Sequence, residues 1–207
     1  MNHLLIDTSS KNSSLILNIN NEIVYSKFWR SENNHSEELY ENFSEISNRI
    51  NEIYYIGILL GPGGFNSIRI GISFALAIVL SKNIKVIGLP THLVQAINYI
   101  ESKKDITSII KCGKNIISWA KFTNGEINPT ELGTENINIY NEKNICGEIP
   151  DLNDKNPRPY ENIIKASNLL IEKNGFDLPE DIVPIYAKKP SISKPKEPYK
   201  KFEIKGE

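Results

Sequence analysis

The 207-residue sequence predicts an α/β fold of two lobes, each built on a mixed sheet, with the second lobe abbreviated. Three observations predict it. β-rich runs near the N-terminus are joined by tight polar turns. Apolar stripes of helical period then alternate with buried-strand runs, and a glycine-rich turn carries one of those strands straight into a helix.

Leu4-Leu5-Ile6 leads into Asp7-Thr8-Ser9-Ser10, and Ser14 to Ile19 and Ile23 to Phe28 follow, separated by Asn20-Asn21. Turns this short join antiparallel neighbours, so these are three consecutive paired strands. Leu39, Phe43, Ile46, Ile50 and Ile53 recur at gaps of four and three, one apolar stripe of a helix. Ser36 is its expected N-cap, with Glu37 and Glu38 suiting the dipole of the first turn. Tyr54 to Leu60 reads as a buried strand, Ser67 to Ser81 as the second helix and Lys85 to Leu89 as another strand. Pro90-Thr91 starts a third helix with Leu93, Ala96, Ile97 and Ile100 on one side. Its charged end, Glu101 to Lys104, marks the lobe boundary, giving a first lobe of residues 1–104.

In the smaller second lobe, residues 105–186, Thr107 to Lys111 and Ile116 to Phe122 read as a strand pair. Thr123 to Pro159 is turn-rich, and one further helix runs from about Glu161 to Lys173, with Gly175 as its end cap. Residues 187–207 form a basic Pro/Lys-rich tail. The order strand, strand, strand, helix, strand, helix, strand, helix in the first lobe is that of the ribonuclease-H-like half found in actin-like ATPases.

Gly61-Pro62-Gly63-Gly64 is the most informative stretch, because a strand turning through glycines into a helix leaves backbone N–H groups at a positive dipole end. Gly61, Gly63, Gly64 and Arg69 are therefore candidates for anion contact, beside the alternative of a purely structural tight turn. The turn matches neither G-x-x-x-x-G-K-[ST] nor G-x-G-x-x-G. The helix it opens is apolar all round, from Ile68 through Leu80, so it demands cover on every side, either as a central core helix of its own lobe or with a second protein covering part of it. Gly71, Ser73, Ala75 and Ala77 keep parts of its surface low enough for another helix to approach.

A formal charge of −1 gives no global field to hold nucleic acid, although the tail carries seven lysines against three acids. Cys112 and Cys146 stand in no C-x-x-C spacing, which suggests neither a disulfide framework nor a thiolate metal site and fits a reducing compartment. The N-terminus does not read as a signal peptide, and Ile68 to Leu80 falls short of a membrane span. A cytoplasmic protein is expected.

Asp7 ends the first strand where a ribonuclease-H-like nuclease places a metal-binding carboxylate, but the neighbouring strand, Ile56 to Leu60, supplies no second acid. Asp7, Thr8 and Ser9 read instead as a turn bonding its own backbone, a vestigial phosphate turn. His3, His35 and His92 are too scattered for paired metal ligands, and no G-x-S-x-G elbow is present. No metal, cofactor or catalytic residue is expected, and independent ATP hydrolysis is not expected either.

Leu5-Ile6-Asp7-Thr8-Ser9, His35-Ser36-Glu37-Glu38-Leu39, the block from Gly61 through Arg69-Ile70-Gly71, and Pro184-Ile185-Tyr186 with Lys189-Pro190-Ser191 together resemble the bacterial TsaB (YeaZ) family of tRNA threonylcarbamoyladenosine biosynthesis proteins. The resemblance implies a non-catalytic subunit that pairs with a TsaD-like catalytic subunit through the first-lobe helices. It also implies that a TsaE-like ATPase joins the pair and that tRNA is met only through the complex, while the wholly apolar helix leaves a homodimer open when the partner is absent. On matching positions the partner face would hold Leu39, Phe43, Ile68, Gly71, Ile72, Ala75 and Val79. TsaD-like enzymes carry an H-x-x-x-H pair where this chain has only His92, so catalysis by this chain alone is not implied. Two departures stand out: Gly64, Asn66 and Ser67 replace the usual Ser, Thr and Gly, and Lys111-Cys112-Gly113-Lys114 stands where the family often has D-A-R. The competing reading is an actin-like ATPase or peptidase-related enzyme acting on its own.

Overall fold

The computed structural model describes residues 1–31, 34–113, 116–134, 144–148 and 158–188. Lys114 and all of the tail beyond Lys188, including Lys189-Pro190-Ser191, lie outside the described residues.

β1 (His3–Asp7), β2 (Asn12–Ile19) and β3 (Glu22–Arg30) form the antiparallel run, and β4 (Tyr55–Gly61) and β5 (Lys85–Pro90) join it in parallel. The sheet order is β3-β2-β1-β4-β5. Successive side chains of a strand face opposite ways, and over β2, β1, β4 and β5 both faces are covered, while the edge strand β3 is largely exposed. Leu4, Ile6, Leu15, Leu17, Ile56 and Ile58 enter one core, while Leu5, Ile16, Tyr55 and Leu59 enter the other. That two-sided burial explains why β4 reads as a continuous apolar run.

The first face is covered by α1 (His35–Ser44) and α2 (Phe65–Lys82). α1 starts one residue before the expected cap: Asn34 holds the N-cap position and its carbonyl accepts the Glu38 N–H at 3.1 Å. It also stops at Ser44, short of the full apolar stripe, and a 3₁₀ turn, Ser47–Glu52, carries the chain on. Ser44 Oγ donates to Glu41 O at 2.6 Å and Ser47 Oγ to Ser44 O at 2.9 Å, local bonds that compete with helix continuation. Ile46 and Ile53 are buried all the same. α2 is 18 residues long and, by length and composition alone, apolar enough to cross a membrane, a longer element than the Ile68 to Leu80 stretch suggests. In this fold it lies on β4 and β1.

The second face is covered by α3 (Thr91–Glu101) and α4 (Tyr160–Asn174). α3 also packs on the second sheet, built from β6 (Ile106–Lys111), β7 (Ile117–Phe122), β8 (Glu131–Thr134) and β9 (Ile145–Gly147) in the order β8-β7-β6-β9. β6 runs antiparallel to β7 and parallel to β9, so this sheet is mixed as well. β8 and β9 fall in the stretch that reads as turn-rich; they are only four and three residues long and none of their residues is fully buried. Beyond α4 the chain returns over the first sheet, where the Ile185 N–H donates to Leu60 O at 2.7 Å.

Candidate functional site

The glycine turn joins β4 to α2 and presses on the turn that follows β1. Gly64 N–H donates to Ser9 O at 2.8 Å, and a Cβ on Gly63 would sit 2.0 Å from that same oxygen. Gly61 has φ +100°, and a Cβ there would meet Ile185 O at 2.5 Å. The turn is thus the seam where three chain segments touch. The amide of Gly64, which would face an anion, already serves a carbonyl. Arg69 points outward, its guanidinium 5.4 Å from the Phe65 ring, and Phe65 stacks on Tyr186 at 4.7 Å.

Asp7, Thr8 and Ser9 bond as a turn should. Asp7 Oδ1 accepts the Ser9 N–H at 2.8 Å and the Ser9 hydroxyl at 2.6 Å, and Thr8 Oγ1 donates to Ser67 O at 2.8 Å. The remaining Asp7 oxygen accepts Arg158 Nε at 2.7 Å. Arg158 is 1% exposed and sits just ahead of α4. Its Nη1 reaches Gln95 Oε1 at 2.8 Å and Glu148 Oε1 at 3.0 Å, and Nη2 reaches Ser10 Oγ at 2.6 Å. Burial works against the charged guanidinium, but the Asp7 and Glu148 carboxylates outweigh it and raise its pKa. Sequence reading missed Arg158, because it stands between two prolines in an aperiodic stretch and its main partner is 151 residues away.

The polar chain continues through α3. Gln95 Nε2 donates to Ser108 Oγ at 2.9 Å and to Ile109 O at 3.1 Å. His92 Nδ1 lies 2.9 Å from Ser108 Oγ and Nε2 lies 2.9 Å from Ser118 Oγ, so both ring nitrogens are occupied. Burial, with the Arg158 charge adding to it, pushes the His92 pKa down to about 3. The unfolded chain takes up a proton near pH 6.5 that the folded one refuses, so this group's stability contribution is complete above pH 6.5 and is lost as pH falls toward 3. The slope in that window is up to about 1.4 kcal/mol per pH unit. His92→Gln, whose amide can serve both serines, is expected to flatten the plot of urea midpoint against pH between 6.5 and 3; an unchanged slope would assign the acid sensitivity elsewhere. Burial also pushes the Cys112 and Cys146 thiols up to about 11 and about 12, so neither is a ready thiolate, and both are free. Among the described residues no cluster of three His, Cys, Asp or Glu could hold a metal ion.

The partner-face residues named from sequence need correction. Leu39, Ile68 and Ala75 are fully buried, Ile72 and Val79 nearly so, Gly71 packs against Thr8, and Phe43 is half-buried against Phe74. All but Phe43 form the inner faces of α1 and α2, consumed by this chain's own core, while Phe43 lies where the two helices meet. The outward side of α2 carries Leu80, 69% exposed, with exposed Ser73 and Ala77 and half-buried Ile70 and Phe74, and α1 exposes Tyr40 at 65%. An all-round apolar helix hides which side faces inward; the structure resolves that choice.

No protein-family model matches the sequence. The chain is 27% identical over 175 residues to the tRNA threonylcarbamoyladenosine biosynthesis protein TsaB of Buchnera aphidicola subsp. Acyrthosiphon pisum, covering 79% of each chain. Among solved structures it superposes on YeaZ from Pseudomonas aeruginosa with a TM-score of 0.70, covering 89% of this chain and 99% of that one at 14% identity. A second Pseudomonas aeruginosa structure, described as similar to peptidase YeaZ, gives a TM-score of 0.72 over 90% and 99% at 14% identity. Identity this low establishes the shared fold and nothing finer.

Proposed function

From the TsaB (YeaZ) family resemblance, which both the sequence motifs and the Buchnera relative carry, we propose that this chain serves tRNA threonylcarbamoyladenosine biosynthesis as a non-catalytic subunit. It pairs with a TsaD-like catalytic subunit, which transfers the threonylcarbamoyl group to the adenosine next to the anticodon. A TsaE-like ATPase joins the pair, tRNA is engaged through the complex, and the work is cytoplasmic. The observation that carries the pairing is the outward side of α2, where exposed Ser73, Ala77 and Leu80 stand beside half-buried Ile70 and Phe74, with Tyr40 exposed on the neighbouring α1.

The competing enzyme reading finds less support. An apolar cleft of about 530 Å³ opens beside Leu93, Phe122, Leu132, Leu170 and Tyr186, but the histidine at its wall, His92, is held neutral with both nitrogens engaged. A general base needs a free lone pair aimed at its substrate.

The test is genetic and chemical together. Removing the gene should deplete threonylcarbamoyladenosine from bulk tRNA, measured by mass spectrometry of nucleosides, and the purified chain should capture the host's TsaD-like subunit. Normal modification in the deletion strain would overturn the assignment. Turnover of a nucleotide or peptide by the isolated chain would favour the enzyme.

A further inference from the structure

We infer that Arg158 is an internal latch, its guanidinium holding the two sheets in one closed arrangement by the chain's own charge. The acceptors of its nitrogens come from four places: Asp7 at the end of β1, Ser10 in the following turn, Gln95 on α3 and Glu148 after β9. Each main acceptor is itself fixed from behind. Asp7 is held by Ser9, Gln95 by Ser108 and the Ile109 carbonyl of β6, and Glu148 Oε2 by the Lys111 N–H at 3.2 Å. An unbroken run of polar contacts therefore crosses from the first sheet to the second.

The apolar core between the sheets, built from residues such as Leu5, Leu89, Val94, Ile97, Ala120 and Phe122, supplies attraction but little direction, because burial of apolar area is indifferent to small rotations. A planar, forked guanidinium is the opposite: its donors reach several acceptors at once only in one geometry. Arg158 also immediately precedes Pro159, the N-cap of α4, so the latch sets where α4 enters the groove between α3 and β5. Tyr55 Oη and Ser167 Oγ, 3.2 Å apart, and Asn98 Nδ2 donating to Asn162 Oδ1 at 2.8 Å then continue the docking along the helix.

A buried charge that loses its partner is costly, so Arg158→Ala, which leaves Asp7 and Glu148 uncompensated, should lower the melting temperature by roughly 10 °C. Amide hydrogen exchange at Ser9, Lys111 and Glu148 should accelerate by about tenfold or more, well above that of the β2–β3 pair. The discriminating step is chemical rescue. Millimolar ethylguanidinium should restore most of the protection in Arg158→Ala, whereas equal ethylammonium should not, and Arg158→Lys should behave like the alanine variant. Unchanged exchange in Arg158→Ala, or equal rescue by ethylammonium, would overturn the latch. If Arg158→Ala does not fold, Glu148→Gln decides: it keeps the Asp7 pair and should speed exchange at Lys111 and Glu148 while sparing Ser9, and a uniform or absent change would overturn the inference.

Discussion

Gly63→Ala is expected to cost about 3 kcal/mol of stability or more, although it adds a single methyl group. The added carbon would stand 2.0 Å from the Ser9 carbonyl oxygen, and the obstacle is backbone, so no side-chain rotation relieves it. Something must give. If the glycine turn retreats, the bond from Gly64 N–H to Ser9 O is lost together with the first turn of α2; if the Asp7 turn retreats, the buried pair with Arg158 opens. Gly175→Ala is the control. It follows α4 with φ +80° and ψ −160°, a conformation almost confined to glycine, and nothing lies within 4 Å of the new carbon, so it carries backbone strain of about 1–3 kcal/mol and no clash. Gly63 has no such backbone requirement, so Gly63→Ala should show the lower urea midpoint only through the clash. A loss no larger than that of Gly175→Ala would mean that the contact of the glycine turn with Ser9 is incidental.

The same contrast explains what could be read from the sequence. The first lobe was legible element by element because its signals are local: period-two and period-three-and-a-half apolar spacing, tight Asn turns, and glycines at a strand-to-helix junction. Asp7-Thr8-Ser9 could be recognised as a self-bonded turn for the same reason, since its bonds span two residues. Arg158 could not, because its value lies in a contact with Asp7 across the whole fold, and an arginine between prolines looks like any loop cation. The α1 helix was read too long because the apolar stripe continues through Ile46, Ile50 and Ile53 while the serine hydroxyls at 44 and 47 take over the backbone carbonyls. β8 and β9 are too short and too exposed to leave a pattern. In α2 the period itself was uninformative: with apolar residues on every side, only the placement of the sheet decides that Ile68, Ile72, Ala75 and Val79 go in and that Ala77 and Leu80 stay out.

On the proposed pairing, Ala77→Arg should weaken capture of a TsaD-like subunit by about a hundredfold or more while leaving the melting temperature of the chain nearly unchanged. A long cation set into the centre of an apolar helix-to-helix contact must either stay desolvated without a partner or hold the two surfaces apart, and a hundredfold loss corresponds to about 2.7 kcal/mol, within the range of a central interface residue. Ala75→Arg, two residues away, should instead fail at folding, because Ala75 is fully buried between α2 and its own sheet. Leu132→Arg supplies the surface control: Leu132 is 71% exposed on β8 of the other sheet, so it tests whether any new charge on an apolar spot disturbs pairing. Titration calorimetry against the partner and thermal melts of each variant separate the three cases. If Leu132→Arg abolishes binding and Ala77→Arg does not, the partner docks on the second sheet and the outer face of α1 and α2 has another use.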